Sequence, residues 1–276
     1  MIERHFHDVF YNGKSLADFG VHVSGTDVFN GPEADVENVE VPGRNGDLHI
    51  FNERYKNVEL KYKCFISGNN LYKIDRDSDR RQVSNTTYLS QLNELAKRNN
   101  VLEEEFKLAV RSLRQWLYKE HTYCRLEDTY HSDEYRLAMF KGPFETEAIM
   151  LKAGEFDLTF DAKPQRFLKS GEFPTTFTSS GSICNPTSFT ALPLVRIYGK
   201  GSVTIGNVII TVANNYPNSY IDINCDIQDA YYGTANRNSY INLVDGEFFK
   251  LEPEISTVTL GSGITKVEIT PRWWII

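Results

Sequence analysis

One stretch, YIDINCDIQD, carries oxygen-bearing side chains at a spacing that could bind calcium. Asp222, Asn224 and Asp226 match the opening of a helix–loop–helix calcium loop. Such a loop also needs Gly at its sixth position and Glu at its twelfth. Here those positions hold Ile227 and Gly233, and the intervening residues are apolar and alternate with the polar ones. The pattern therefore favours a strand with one buried and one solvated face, not a metal site.

The four cysteines do not form a recognisable reactive set. They lie far apart in the chain and include no CxxC or CxxH pair: Cys64, Cys124, Cys184 and Cys225. Zinc sites need close pairs, and a disulfide framework is unusual in a chain of this size without a secretion signal. We expect four small buried thiols and no cofactor.

Other catalytic patterns are missing from the sequence. The six histidines give no HExxH, and no serine sits in GxSxG. Asp157 and Asp161 are paired in FDLTFDAKP. However, the apolar residues Phe156, Leu158 and Phe160 occupy every second position, as in a strand with one buried face. No set of residues indicates a hydrolase, so the sequence predicts a protein that is not an enzyme.

Aromatic residues offer a possible sugar-binding surface. Tyr231 and Tyr232 in AYYGT could stack on sugar rings or pad a protein interface, where tyrosine is also enriched. The closing PRWWII could form an aromatic platform for a glycan, although a terminal strand of this kind more often closes a core.

The segment VPGRNGD poses a choice between a phosphate-binding loop and a hairpin tip. A phosphate loop would need a helix directly after the glycines. The following residues, HIFNERYKNVELKYK, alternate like strands, and no GKS or GKT occurs. A hairpin with an elaborated tip is favoured, with a primed turn at Asn45-Gly46 and with Pro42 ending the ladder on one side. Its apolar flank supplies candidate contacts for oligomerisation, namely Val39, Val41, Leu48 and Ile50.

The rest of the chain is organised around one helix and many short strands. Residues 102–118 show helical periodicity with acidic residues first and basic residues last, which suits the helix dipole. Residues 67–87 are polar and aperiodic and predict a long exposed loop. Eight short apolar runs follow residue 190, and they predict an antiparallel sandwich or jelly roll. They are LVRIYG, SVTIG, VIITV, YIDINCDI, YINLV, EFFKL, TVTLG and KVEIT.

Composition predicts two domains and disfavours some classes of function. After residue 168 only 16 of 108 residues are charged, against 24% for the whole chain, and turn-forming residues flank the change. We predict domains at 1–168 and 169–276. The net charge of −7 disfavours binding to a duplex, and no apolar run is long enough for a membrane helix. The first residues lack the features of a signal peptide, so we expect a cytosolic product.

Four stretches together resemble the distal tail protein family of siphophages. In chain order they are FYNGKSLADFGVHVSG, then VPGRNGDL, then RQWLY with YCRLED and DEYRLAMF, and finally YIDINC with PRWW. They span residues 10–274. The resemblance implies an N-terminal β-sandwich with one helix and a protruding hairpin, and an outer C-terminal sandwich that is galectin-like or like a carbohydrate-binding module.

The resemblance also implies a function. Six copies would close into a ring that joins the tail tube to the tail tip. The implied partners are the major tail protein, a tail-associated lysin or tail fibre, and a receptor-binding protein. DNA would pass through the channel without tight binding. The protein would be assembled in the bacterial cytoplasm and reside at the virion tail tip.

Two other functions compete with this structural hub. A carbohydrate-binding adhesin would use the second sandwich and its tyrosines on the host cell wall, and glycan binding would distinguish it from a hub. A glycan hydrolase would need an acid/base pair, which the sequence does not indicate.

Overall fold

A computed structural model describes residues 7–67, 103–104, 106–145, 147–149 and 153–276. The chain is mainly β with one helix and several antiparallel sheets, which confirms the predicted fold class. The polar loop predicted for residues 67–87 lies, except for Ser67, outside the described residues. The chain forms two compact units. The first runs to residue 132 and continues over 136–164, and the second comprises 133–135 and 165–276.

The first unit is built on one large antiparallel sheet. Its strands follow the order β2-β1-β7-β8-β10-β6-β3, and β9 also pairs with β10. A separate two-stranded ribbon consists of β4 and β5. The strand bounds are β1 (Val9–Tyr11), β2 (Lys14–Ser15), β3 (Val21–Thr26), β4 (Ala34–Val39), β5 (Leu48–Tyr55), β6 (Val58–Ser67), β7 (Cys124–Asp128), β8 (Glu134–Phe140), β9 (Glu147–Ile149) and β10 (Ala153–Leu168).

Strands β6 and β10 pair with each other, and their side chains alternate between the core of this unit and solvent. Leu60 faces Phe160 in register, and Tyr62 faces Leu158. All four side chains are fully buried. The strand predicted from VELKYKCFI is therefore confirmed. The inward placement predicted for the apolar residues around Asp157 is confirmed as well.

The helix, α1, covers residues 103–104 and 106–117 of the described chain. Its buried face contributes Phe106, Leu113, Trp116 and Leu117 to the core of the first unit. The Trp116 ring stacks on Phe19 with 4.8 Å between ring centroids. No helix in the described part of the chain combines the length and apolar character needed to cross a bilayer.

The second unit places two antiparallel sheets around one core. The six-stranded sheet has the order β11-β21-β13-β16-β17-β18, and the five-stranded sheet has the order β12-β20-β14-β15-β19. The bounds are β11 (Thr175–Phe177), β12 (Gly181–Asn185), β13 (Leu194–Gly199), β14 (Gly201–Ile205), β15 (Val208–Val212), β16 (Tyr220–Asn224), β17 (Asp229–Tyr232), β18 (Ala235–Asn236), β19 (Ile241–Leu243), β20 (Glu254–Leu260), β21 (Ile264–Thr270) and β22 (Trp274–Ile275).

One of the eight predicted strands of this unit is wrong. The segment EFFKL is not a strand, and Leu251 forms only an isolated bridge with Ala191. Phe249 and Leu251 are both fully buried, so their alternation reflects two core anchors on an irregular segment. Apolar side chains spaced by two residues indicate that those side chains are buried. An irregular segment can bury them as well as a strand can.

The PRWWII terminus closes the core of the second unit. Trp273 is 6% exposed. Trp274 stacks on Phe189 at 4.5 Å between ring centroids, and its indole N–H donates to the Thr190 carbonyl oxygen at 3.0 Å. A glycan platform would need exposed ring faces, so this segment serves packing instead.

The predicted domain boundary falls at the end of strand β10, which stops at Leu168, whereas the two compact units divide inside that strand. Strand β10 continues through Pro164, which falls between the residues that pair with β6 and those that pair with β22. Proline lacks an amide donor and is tolerated where a ladder has no need of one. The second compact unit begins at Gln165. The prediction of separate domains at 1–168 and 169–276 stays a prediction.

Candidate functional site

The ribbon of β4 and β5 is the most exposed regular element of the first unit. Its register runs from Val39 opposite Leu48 to Val36 opposite Phe51. Within the described residues neither strand pairs with any other strand, so both long edges carry backbone groups without ladder partners. Soluble proteins normally cover or protect such edges, because they are templates for pairing with another chain.

The apolar residues of the ribbon lie on both of its faces. Val39 and Leu48 are directly opposed, and alternation places Ile50 on their face. Val41 lies beyond the last pair, in the loop at the tip. Thus three of the four predicted contact residues share a face, and the fourth extends the tip. Leu48 is 42% exposed and Ile50 is 44% exposed, so this face is open to solvent.

The opposite face carries an apolar pair that the sequence pattern did not predict. Val36 and Phe51 are opposed in register, and they are 39% and 46% exposed. The ring of Phe51 contacts Tyr55 edge to face at 5.7 Å between centroids. The run HIF contains the missed signal, because consecutive apolar residues on a strand point to opposite faces.

The tip of the ribbon is elaborated, as the sequence predicts, but its turn lies elsewhere. Eight residues, 40–47, separate the last paired positions, so the predicted two-residue turn at Asn45-Gly46 is wrong. The chain instead turns at Pro42-Gly43, where the Arg44 N–H donates to the Val41 carbonyl oxygen at 3.1 Å and Gly43 has a φ of 81°. Proline followed by a residue of positive φ suits a type II turn, and glycine adopts that φ without strain.

Polar contacts fix the base of the ribbon. Lys56 approaches Glu33 at 3.2 Å, and the Lys56 N–H donates to the Glu33 carbonyl oxygen at 2.8 Å. Arg54 pairs with Asp35, and this guanidinium holds the pKa of the Asp35 carboxyl below its usual value. The ribbon is therefore anchored by charges at its base and carries exposed apolar side chains on its strands. That arrangement suits burial against another surface and offers no catalytic group.

The other predicted contacts, Tyr231 and Tyr232, lie on β17 of the six-stranded sheet. Tyr231 is opposite Asp222 in register, and Tyr232 follows it on the strand, so the two side chains leave the backbone in different directions. The Tyr232 ring packs against Tyr220 with 4.7 Å between centroids. Both tyrosines are half-buried, and they do not form a side-by-side platform.

Charged side chains cover the neighbouring tyrosine rings on this sheet. The Arg196 guanidinium carbon lies 4.3 Å from the centroid of Tyr220, and the Lys266 ammonium lies 4.0 Å from that of Tyr198. These cations are neutralised in turn, since Lys266 pairs with Glu268 at 2.8 Å. A sugar ring could stack on these tyrosines only by displacing the cations.

Asp222, the first residue of the calcium-like pattern, belongs to this network. It is 5% exposed and accepts two hydrogen bonds from Arg196, at 2.7 and 3.0 Å. Bonding to this carboxylate raises the pKa of Arg196. Asn224 accepts from the Arg272 guanidinium at 2.8 Å. These oxygens are therefore committed to cationic side chains, and the described residues contain no cluster of three or more potential metal ligands.

Two details of that segment differ from the prediction. Strand β16 ends at Asn224, so the turn after it leaves Ile227 62% exposed and not on the buried face. The turn begins where an Asn224 side-chain oxygen accepts from the Asp226 N–H at 3.3 Å, which is typical of asparagine at a turn.

The cysteines are all free, but they are not all buried as expected. Cys64 and Cys225 are buried, and burial raises the pKa of each thiol to about 12. Cys124 is half-buried, and Cys184 is exposed. Cys184 lies outward on β12, the edge strand of the five-stranded sheet, which explains its exposure.

No family model matches the sequence, and a comparison with curated proteins finds no relative. Among solved structures, the fold is similar to the crystal structure of the Dit protein of phage SPP1. That protein is described as a paradigm of the hub adsorption apparatus in phages that infect Gram-positive bacteria. The TM-score is 0.68 at 10% sequence identity, and the match covers 98% of this chain and 99% of the other. The predicted resemblance to distal tail proteins is thus confirmed at the level of the fold.

Proposed function

We propose that this chain is a structural hub protein of a siphophage tail tip, without enzymatic activity. The observation that carries the proposal is the likeness of fold to a phage adsorption hub over the full length of both chains. Function resides in sites more than in folds, so the surfaces of this chain must be consistent with that role as well.

The ribbon supports self-association into a ring. Its apolar residues and free edges would face water in an isolated copy, and a neighbouring copy could cover them. A contact between two different patches, repeated around an axis, closes a ring when the rotation fits. We take the ring to be a hexamer, as in the family that the sequence resembles. Val39, Leu48 and Ile50 would form one contact face, with Val41 at the tip.

Such a ring has two distinct faces and a channel. We propose that one face binds the major tail protein of the tube and that the other binds a tail-associated lysin or tail fibre, with a receptor-binding protein docking on the adsorption apparatus. The genome would pass through the channel. The protein would be assembled in the host bacterial cytoplasm and function at the virion tail tip, with no membrane and no cofactor involved.

The alternative, a carbohydrate-binding adhesin, has weaker geometric support. Its predicted residues, Tyr231 and Tyr232, do not share a platform, and cations cover the rings of Tyr198 and Tyr220. Binding of residues 165–276 to a cell-wall glycan array would favour the adhesin. An absence of binding is expected for a hub whose outer unit only docks proteins.

Immunogold electron microscopy tests the proposed location. Antibodies against the purified chain should label virions at the end of the tail, next to the adsorption apparatus. Labelling along the tail tube or on the capsid would contradict a hub, and labelling of separate fibres would favour the adhesin.

A further inference from the structure

The outer face of the five-stranded sheet differs from the rest of the surface. Buried residues such as Val203, Ile210 and Val258 point into the core. The residues that alternate with them point outward. Six of the outward residues carry hydroxyl groups, namely Ser182, Ser202, Thr204, Thr211, Thr257 and Thr259. The other four are Cys184, Ile209, Asn242 and Ile255.

All ten outward side chains of these strands, each fully within the described chain, are uncharged. We call this surface the uncharged face. The same unit carries Arg196, Asp222, Lys266 and Glu268 on the outer surface of its other sheet, so charge is not scarce throughout the unit. The solvated face of an antiparallel sheet is usually polar, and the cores of protein interfaces are depleted of charged residues.

Ile255 makes the uncharged face costly to leave in water. It is 69% exposed and lies opposite the exposed Cys184 in the β12–β20 register. The ribbon contact of the hub proposal does not use this surface, since the ribbon belongs to the other unit.

We propose that the uncharged face packs against the uncharged face of a second copy about a twofold axis. In such a contact a residue near the axis meets its own counterpart, so any charge there would face a like charge. The uncharged strand side chains avoid this repulsion near the axis between copies that each carry a net charge of −7, while Glu247, Lys250 and Glu252 line a pocket beside Ile255 and Thr257. Hydroxyl groups both donate and accept hydrogen bonds, so a face rich in serine and threonine is complementary to itself.

The size of the face sets the strength of the contact. Five strands about 4.8 Å apart and about five residues long, at about 3.3 Å per residue, give roughly 400 Å² per copy. A standard stable interface buries about 800 Å² per partner, so the contact belongs with the weak, transient ones. The contact cannot form between neighbours of one head-to-tail ring, which a sixfold rotation relates, so it joins copies that belong to separate assemblies.

Analytical ultracentrifugation of the full chain tests the proposal, from about 10 µM to about 1 mM, the range in which a weak contact becomes populated. The double variant Leu48→Asp with Ile50→Asp is used, under reducing conditions, so that neither the ribbon nor a Cys184 disulfide contributes. The expected result is a monomer–dimer equilibrium. Thr204→Lys, on the central strand β14, should weaken it at least tenfold. Thr176→Lys, the same change on the outer surface of the other sheet, should leave it unchanged.

A mixture of two variants tests the symmetry. Thr204 is central on the face and therefore close to the axis, so Thr204→Lys mixed with Thr204→Glu should dimerise again. If Thr204→Lys unfolds at a lower temperature than the parent chain, Ile255→Lys at an exposed position replaces it. A monomer up to 1 mM, or a dimer that both lysine variants retain, would overturn the proposal. Failure of the mixture to associate would exclude the twofold contact and leave a contact between unlike surfaces.

Discussion

At the residue scale, the pair of Arg196 and Asp222 links the strands of the six-stranded sheet. The carboxylate is 5% exposed, and its two hydrogen bonds come from one guanidinium. Removing one side chain of this ion pair leaves the charge of the other without a counter-charge in a poorly solvated position. Because the Arg196 side chain is 38% exposed, water can replace part of the interaction.

We therefore expect Arg196→Ala to lower the free energy of unfolding by about 2 kcal/mol. Urea denaturation of the full chain, followed by circular dichroism, measures the effect. In a double-mutant cycle with Asp222→Asn, the two effects should be less than additive. Additive effects would mean that the two side chains act independently.

The cysteines give a second prediction at this scale. A thiol reacts as the thiolate, and burial holds the pKa of Cys64 and Cys225 at about 12, so both are almost wholly protonated at neutral pH. Cys184 is exposed and should be the first thiol that maleimide modifies, with Cys124 slower. Mass spectrometry of peptides after timed labelling gives the order. Early modification of Cys225 would contradict the packing of the second unit.

At the element scale, the last residues of β10 belong with the C-terminal strand. Arg166 pairs with Ile275 and Phe167 with Trp274, and the Leu168 N–H donates to the Trp273 carbonyl oxygen at 2.9 Å. A fragment that begins at 169 loses these contacts, whereas one that begins at 165 keeps them.

We expect residues 165–276 to fold alone and to melt at a higher temperature than residues 169–276. Loss of about two ladder hydrogen bonds, each contributing about 1 kcal/mol, corresponds to a shift of several degrees for a unit of this size. Differential scanning calorimetry of both fragments measures the shift. Equal melting temperatures would mean that β22 does not need its partner, and a non-cooperative transition in both would show that the second unit cannot fold alone.

The elements show what the sequence could and could not predict. The strand VIITV was predictable because it is short and rich in β-branched residues. The strand VELKYKCFI was predictable because apolar and polar residues alternate along its whole length. EFFKL also spaces its apolar residues by two, but an irregular segment delivers its side chains to the core. The tip of the ribbon depended on two competing turn signals, and Pro42-Gly43 prevailed over Asn45-Gly46.

The contact surfaces were only partly predictable for a related reason. The sequence identified Val39, Leu48 and Ile50, which follow one face of a hairpin, but not the pair of Val36 and Phe51 on the other face. The uncharged face could not be predicted at all, because it depends on which strands become neighbours. Neighbours in a sheet are set by long-range topology, which local patterns do not record.

At the scale of the whole molecule, net charge predicts whether an assembly of six copies binds DNA. Each chain carries −7, so six copies carry six times that, or −42. Such a field repels phosphates. We expect no measurable binding of a short duplex at physiological salt in fluorescence anisotropy. Micromolar affinity that falls steeply with added salt would instead indicate a cationic channel lining.

The central claim is that copies of this chain close into a ring through the ribbon. Multi-angle light scattering at micromolar concentrations, alone or with a tail partner, tests it most directly. We predict about 190 kDa, six times 31.7 kDa, for the intact chain and for Ile227→Asp, which alters an exposed apolar residue elsewhere. We predict a single-chain mass for the double variant Leu48→Asp with Ile50→Asp. A single-chain mass for the intact chain under every condition would contradict the hub, and a ring that survives the double variant would contradict the role of the ribbon.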